Sequence, residues 1–250
     1  MEKIDIVIIG AGIAGIASAY YLKKNFPNIR LKILESRSNV GGTWDQMRFP
    51  GVRADNDMYT YGFSFDPWKG SIIGNGKEIK NYLSKVADKF NIKKYVLFNT
   101  DVKSLSWKNN EWIIKTDLKK FTSQYVICCT GSRDRKNPHL PKFANEKKYQ
   151  GKIVHTQAWG NTDFKDKDVT IVGSGCTAIT MAPSIIKEAK KVTLVQRSPA
   201  WIINIDSKEK STRIYKTFQV LWDYFSSRIF KKFKRKKMIS GNTYYNETTT

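Results

Sequence analysis

Residues 4–15, Ile4-Asp5-Ile6-Val7-Ile8-Ile9-Gly10-Ala11-Gly12-Ile13-Ala14-Gly15, decide the fold. Ile4–Ile9 is a short, nearly continuous apolar run, the pattern of a strand in a parallel sheet covered on both faces. The stretch Gly10–Leu22 is small and apolar and predicts a helix. Arg30–Glu35 is a second β-type run, which closes a βαβ unit of about 30 residues. The three glycines meet three separate demands. Gly10 permits the tight turn, Gly12 lets the backbone approach a pyrophosphate, and Gly15 lets helix and strand pack closely. The helix start adds free N–H groups and the positive end of the dipole. Glu35, 20 residues after Gly15, stands where an acid accepts hydrogen bonds from ribose hydroxyls. A purely structural glycine turn is the plainer alternative. Strand, helix and acid in register favour a dinucleotide.

The pattern returns 163 residues later. Asp168–Val172 predicts a buried strand, Gly173-Ser174-Gly175-Cys176-Thr177-Ala178 a second glycine turn opening an apolar helix, and Val192–Gln196 the next strand. Ala178 takes the third glycine's place, which the fingerprint tolerates. Gln196 now stands where Glu35 stood, and Arg197 follows it. A carboxylate would repel a 2′-phosphate, whereas a guanidinium pairs with it in a bidentate fashion. The second site therefore points to NADP rather than NAD, against the alternative that Arg197 is an ordinary surface charge. Two dinucleotide sites on one chain imply electron transfer between two cofactors, and FAD is the partner that fits the first.

Between the two units, Asn39 to Pro67 is rich in Gly, Pro, Asp and aromatics and predicts a structured loop. Gly76–Ile92 returns to helical period, with Ile79, Leu83, Val86 and Phe90 on one stripe and Asn75 with Glu78 as a capping box. Val102–Trp107, Glu111–Thr116 and Phe121–Cys129 are β-like, and Asn109-Asn110 marks a turn, so an antiparallel meander is expected. Gly131 to Pro141 is a charged, Gly- and Pro-bearing crossing. The expected fold is α/β: two Rossmann-like dinucleotide-binding domains, FAD then NADP, with the antiparallel β-meander in the first. The expected divisions are an FAD-binding domain over 1–140, an NADP-binding domain over 141–206, a basic amphipathic helical insertion over 207–237 and a polar tail over 238–250.

The 250 residues carry 44 Lys and Arg against 22 Asp and Glu, a formal charge of +22 that suggests anionic partners. No helix-turn-helix, zinc-finger or RNA-binding fingerprint accompanies it, so nucleic acid is not expected. Cys128 and Cys129 are adjacent in an apolar run and would point to opposite faces, and His139 and His155 are the only histidines. No metal site is expected, and three cysteines fit a reducing, cytoplasmic compartment. The apolar run Ile6–Ile9 is too short for a signal peptide, and no stretch reaches the ~18 apolar residues of a membrane span. In 207–237, Ile214, Phe218, Leu221, Trp222, Phe225, Ile229 and Phe233 form a helical stripe, with eleven Lys or Arg against two acids. A basic amphipathic helix lying on an anionic membrane and a helical insertion between strands of the second domain both fit this stripe.

Gly41-Gly42-Thr43-Trp44, then Phe49-Pro50-Gly51, then Asp55, resembles a fingerprint of the class B flavin-dependent monooxygenases, the Baeyer–Villiger monooxygenases especially. Arg53 to Pro67 continues the likeness, as do Thr130-Gly131 and Gln196-Arg197-Ser198-Pro199. A second fingerprint is matched by Tyr149, Gly151, His155 and Trp159. The family usually has Phe in the first place and Pro or Asp after the Trp, where this chain has Tyr149 and Gly160, so Baeyer–Villiger and N- or S-oxidation both stay open. The resemblance spans roughly residues 4 to 237.

The resemblance implies FAD in the first domain and NADPH in the second. It implies a flavin C4a-peroxide that inserts one oxygen atom from O2 into a ketone, or adds it to a sulfide or amine. It gives Gly42, Thr43, Trp44 and Asp55 to the flavin site, with Asp55 normally paired to an arginine, and gives His155 to the linker as a domain-coupling residue. Family members run to roughly twice this length, and their returning segment supplies that arginine. Arg213, Arg228 and Arg235 lie in a Lys-rich stretch of a different character, so the partner is not found here. A truncated, non-catalytic FAD/NADP-binding remnant, membrane-associated or not, is the alternative reading.

Overall fold

The computed structural model describes residues 1–132 and 138–198. Pro199, the 207–237 stripe with Arg213, Arg228 and Arg235, and the 238–250 tail lie outside the described residues. A six-stranded sheet is the main element, ordered β3-β2-β1-β6-β5-β4. Its strands are β1 Glu2–Ile9, β2 Leu31–Leu34, β3 Val96–Leu97, β4 Val102–Lys108, β5 Glu111–Thr116 and β6 Lys120–Cys128. β1 runs parallel to both β2 and β6, and β2 runs parallel to β3. The central place of β1 explains its sequence. Ile4, Ile6, Val7, Ile8 and Ile9 are all buried, as a strand covered on both faces requires. Helix α1, Ile13–Asn25, connects β1 to β2 and begins after Gly12, slightly later than the sequence pattern suggests.

The meander forms as expected: β4 pairs with β5 and β5 with β6, all antiparallel. Asn109 and Asn110 both take positive φ, 54° and 58°, the pair of left-handed residues that a two-residue hairpin turn demands. Phe121 and Ile114 face each other across the strands and join Ile4, Val7, Ile9 and Leu34 in one core.

Two single-turn helices, α2 Thr43–Gln46 and α3 Met58–Tyr61, interrupt the expected loop at Asn39–Pro67. Four residues are too few to show a helical period, so pattern alone misses them. Helix α4, Gly76–Lys89, carries the capping box read from Asn75 and Glu78. It presents Ile79, Leu83 and Val86 to the interior. It ends three residues before Ile92 because Asn91 turns left-handed, at φ 53°.

The second unit has β7 Asp168–Val172, helix α5 Cys176–Ile185 and β8 Lys191–Val195, with β7 and β8 parallel. The segment Asp57–Ile72 groups apart from Met1–Asn56 and the rest of the described chain. Within it Asp57 caps α3 through Thr60 N at 2.8 Å, the Tyr59 hydroxyl donates to Gly70 O at 2.9 Å, and Trp68 Nε1 donates to Ser71 O at 2.8 Å.

Candidate functional site

The first glycine turn is closed by backbone contacts. Gly10 takes φ +102°, and its N–H donates to Leu34 O at 2.8 Å. A Cβ on Gly15 would strike the carbonyl oxygen of Gly10, so helix and turn touch only because residue 15 is glycine. Gly12 is the N-cap of α1, and no side chain caps that end. The start of α1 thus keeps backbone N–H groups available to an anion.

Glu35 is fully buried. Its carboxylate accepts from Ala11 N at 2.7 Å through one oxygen and from Arg37 N at 3.0 Å through the other. The acid expected on a ribose therefore also latches the glycine turn to the end of β2. Ser36 Oγ adds a third bond, at 3.4 Å, to the oxygen that Arg37 N also uses.

The loop at Gly41–Trp44 lies against this turn. Gly41 N donates to Ala11 O at 3.0 Å, and a Cβ on Gly12 would sit 3.6 Å from Gly42 Cα. Thr43 is exposed and Trp44 half-buried at the start of α2. What holds the loop is Asp45, which the sequence reading missed. It is 1% exposed and faces Arg37 Nε at 2.7 Å, Lys80 Nζ at 2.7 Å and Arg48 at 3.3 Å. Arg37 also donates to the Asp45 carbonyl at 2.9 Å. Burial works to raise this carboxyl, but hydrogen bonds from Lys80 and Arg37, with their charges, overcome it and hold it below the usual carboxylate range. Three cations about one acid leave the neighbourhood of the first turn net positive. An acid set directly after Thr-Trp and flanked by Arg37 and Arg48 was the available signal.

Phe49-Pro50-Gly51 joins the two glycine units. Met47 and Phe49 are buried with Ile171, Ala178, Met181 and Ile185 of the second unit, and Trp159 and Phe164 pack on the same cluster. Gly51 takes φ +75°, and a Cβ there would lie 2.7 Å from Thr180 O, so the loop rests directly on α5. His155 accepts from Gln157 N at 3.2 Å through Nδ1 and caps the short turn Thr156–Ala158 that carries the chain to Trp159. Tyr149 is 60% exposed and folds over Gly151.

The second glycine turn is open by contrast. Gly173 takes φ +132° and donates to Val195 O at 2.9 Å. Cβ atoms built on Gly173 or Gly175 would meet nothing within 4 Å. Gly175 is the N-cap of α5, again with no side-chain cap. Ser174 and Thr177 are half-buried beside it, Ala178 is buried in the third glycine's place, and Arg197 is exposed two residues past β8.

Asp55 is exposed and sits beside Cys176, the first residue of α5. A hydrogen bond to Asp55, burial and the Asp55 charge together push the Cys176 thiol up. The residue expected near the flavin thus lies at the mouth of the second turn. Among the described residues no arginine forms an ion pair with it. The two glycine turns therefore lie on one compact unit, with the Gly41–Asp55 loop running from one to the other. Among the described residues no cluster of His, Cys, Asp and Glu is arranged to hold a metal.

The profile of the pyridine nucleotide-disulphide oxidoreductase family matches residues 7–223. A protein described as a probable FAD-binding monooxygenase, AlmA, from an Acinetobacter species is 41% identical over 218 residues, which are 83% of this chain and 44% of that one. The FAD-containing monooxygenase EthA of Mycobacterium tuberculosis is 37% identical over 212 residues, 81% of this chain and 43% of that one. The solved structure of an oxidised steroid monooxygenase bound to NADP superposes with a TM-score of 0.74 at 29% identity, covering 85% of this chain and 42% of the other. The chain spans less than half the length of these relatives.

Proposed function

The chain belongs to the pyridine nucleotide-disulphide oxidoreductase family, and on that premise we propose that it binds FAD and NADPH and takes part in transferring one oxygen atom from O2 to a small organic substrate. The observation that carries the reading is the joint at Phe49-Pro50-Gly51, which ties two uncapped helix starts into one unit. FAD is assigned to the first turn: its pyrophosphate over Gly10, Gly12 and Gly15, its ribose toward Glu35, its covering loop Gly42, Thr43 and Trp44. The cradle fits, since the glycines keep the turn free of side chains and no side chain caps α1. NADPH is assigned to Gly173, Ser174, Gly175 and Thr177, with Arg197 taking the 2′-phosphate.

FAD, when bound and reduced by NADPH, supplies the activation of O2. The chain's own part is to hold the two cofactors in register, to keep a net positive field at the first turn, and to set a carboxylate, Asp55, where the two sites approach. His155 couples the two units through the turn it caps. The substrates are a ketone, for Baeyer–Villiger insertion, or a sulfide or amine. The domain divisions at 140, 206 and 237, a cytoplasmic setting and peripheral contact with an anionic membrane through 207–237 complete the proposal. Among the described residues no helix is long and apolar enough to cross a membrane.

The test is the visible spectrum of the purified chain before and after NADPH is added in air. A bound yellow flavin that bleaches and then reoxidises supports the proposal. A yellow protein silent to NADPH supports a non-catalytic binding role instead, and a colourless protein that takes up no added FAD rejects both.

A further inference from the structure

We propose that the edge of the large sheet where α1, α4 and the turn before β3 end together docks on the surface of an anionic phospholipid bilayer. Four lysines lie on aromatic rings there. Lys23 and Lys94 approach the Tyr95 ring at 5.3 and 5.1 Å, Lys24 the Tyr20 ring at 5.8 Å, and Lys89 the Phe90 ring at 5.3 Å. Tyr20 packs edge-on against Phe90 at 4.8 Å and against Tyr21 at 5.2 Å, and Lys23, next to Lys24 on α1, brings the Tyr95 ring beside them. The two segments that build it, residues 20–27 and 88–95, hold five lysines and a single acid, Asp88. Lys93 pairs with that acid at 2.8 Å. Beside the ammonium groups, Phe26 is 58% exposed and Tyr21 45%.

A local explanation covers part of this. Lys23, Lys24 and Lys89 lie in the last turns of α1 and α4, where a cation favours the negative end of the helix dipole. Lys94 likewise lies in the last turn of the short 3-10 helix Lys93–Tyr95, but helix dipoles do not account for the gathering of three such ends in one place or for the exposed aromatic surface. Lipid headgroups satisfy both features at once. Their phosphates attract the lysines, and the boundary beneath them accepts aromatic rings and lysine stems. The cluster is also remote from the cofactor edge, because α1 has 13 residues and so runs roughly 20 Å from the first glycine turn. It is separate in sequence from 207–237 and does not depend on the proposed chemistry.

The test is sedimentation of the full chain with vesicles of pure phosphatidylcholine and of phosphatidylcholine mixed with phosphatidylglycerol. The chain should pellet with the mixed vesicles only and be released by added salt. Lys24→Glu, Lys89→Glu and Lys94→Glu combined should lower that binding by about tenfold or more. Phe26→Ser alone should lower it less, by roughly threefold. Circular dichroism on heating checks that the variants fold, and Lys94→Glu with Phe26→Ser stands in should the triple variant fail. Equal binding to neutral vesicles, no binding at all, or binding that these substitutions leave unchanged would overturn the proposal. So would a chain that ignores vesicles but binds duplex DNA or RNA through the same lysines.

Discussion

At the first glycine turn a methyl group on residue 15 would strike the Gly10 carbonyl, while at the second a Cβ on Gly173 or Gly175 has no atom within 4 Å. The strands behave alike. β1 lies between two partners with its apolar residues buried, whereas Val172 and Val195, at the ends of β7 and β8, are 60% and 47% exposed. The acids differ too. Asp45 beside the first turn is buried among three cations, whereas Asp55 at the second lies against a thiol. The same sequence pattern thus serves two ends. In the first unit Gly10 and Gly15 are needed for the polypeptide to pack at all. In the second they leave room, and the demand on Gly173 is its left-handed backbone, φ +132°, rather than a close contact.

The largest expected effect tests that difference directly. Gly15→Ala should destabilise the chain by roughly 2–3 kcal/mol, because backbone must move to admit the methyl group. Gly175→Ala, at an N-cap with ordinary φ of −74°, has open space around it. It should cost no more than about 1 kcal/mol. Chemical denaturation of the two variants reads the contrast, and equal losses would break it.

Asp45→Asn sharpens it next. Removing the charge leaves three partly exposed cations without their acid, for a loss of about 1–2 kcal/mol near neutral pH. The folded carboxyl titrates below its unfolded value of about 3.9. Its contribution is therefore present above that value and disappears as pH falls through the lower, folded one. Stability curves of wild type and Asp45→Asn should be furthest apart at neutral pH and converge in strong acid. A gap that persisted in acid would mean that the loop is held by packing rather than by charge.

Much of the first unit is legible in the sequence. β1, α1 and β2 announce themselves through a buried-strand run, a glycine spacing and a small-residue helix, and Asn109-Asn110 names its own turn. Helix α4 was readable to its cap because Asn75 and Glu78 are three residues apart and act on each other. Most of the unread parts share one cause, which is that they are contacts between a loop and a helix distant in sequence. Nothing in Asp45 shows that Lys80 will reach it, nothing in Gly51 shows that α5 will lie beneath it, and nothing in Asp55 foretells Cys176. Single-turn α2 and α3 escaped for the different reason that a period needs more than four residues to appear.

The smallest effect concerns that last pair. A thiol held up by a neighbouring carboxylate has less thiolate and reacts more slowly. Asp55→Asn should speed alkylation of Cys176 by iodoacetamide several-fold, on the order of 3-fold, read by peptide mass mapping against the exposed Cys128 as internal reference. An unchanged ratio would separate Asp55 from the second turn and so weaken the contrast with Asp45.

The joint at Phe49-Pro50-Gly51 acts as a ruler. One end of the loop is fixed at Ala11 through Gly41 and the other on Thr180 through Gly51. The span between the two glycine turns is therefore set by a count of residues rather than by their identity. Exchanging Met47 for another apolar side chain of its size leaves that span intact. Adding or removing one residue between Trp44 and Phe49 changes the gap between the two turns, while each turn stays folded around its own glycines. Length, more than composition, is what this stretch of chain has to keep.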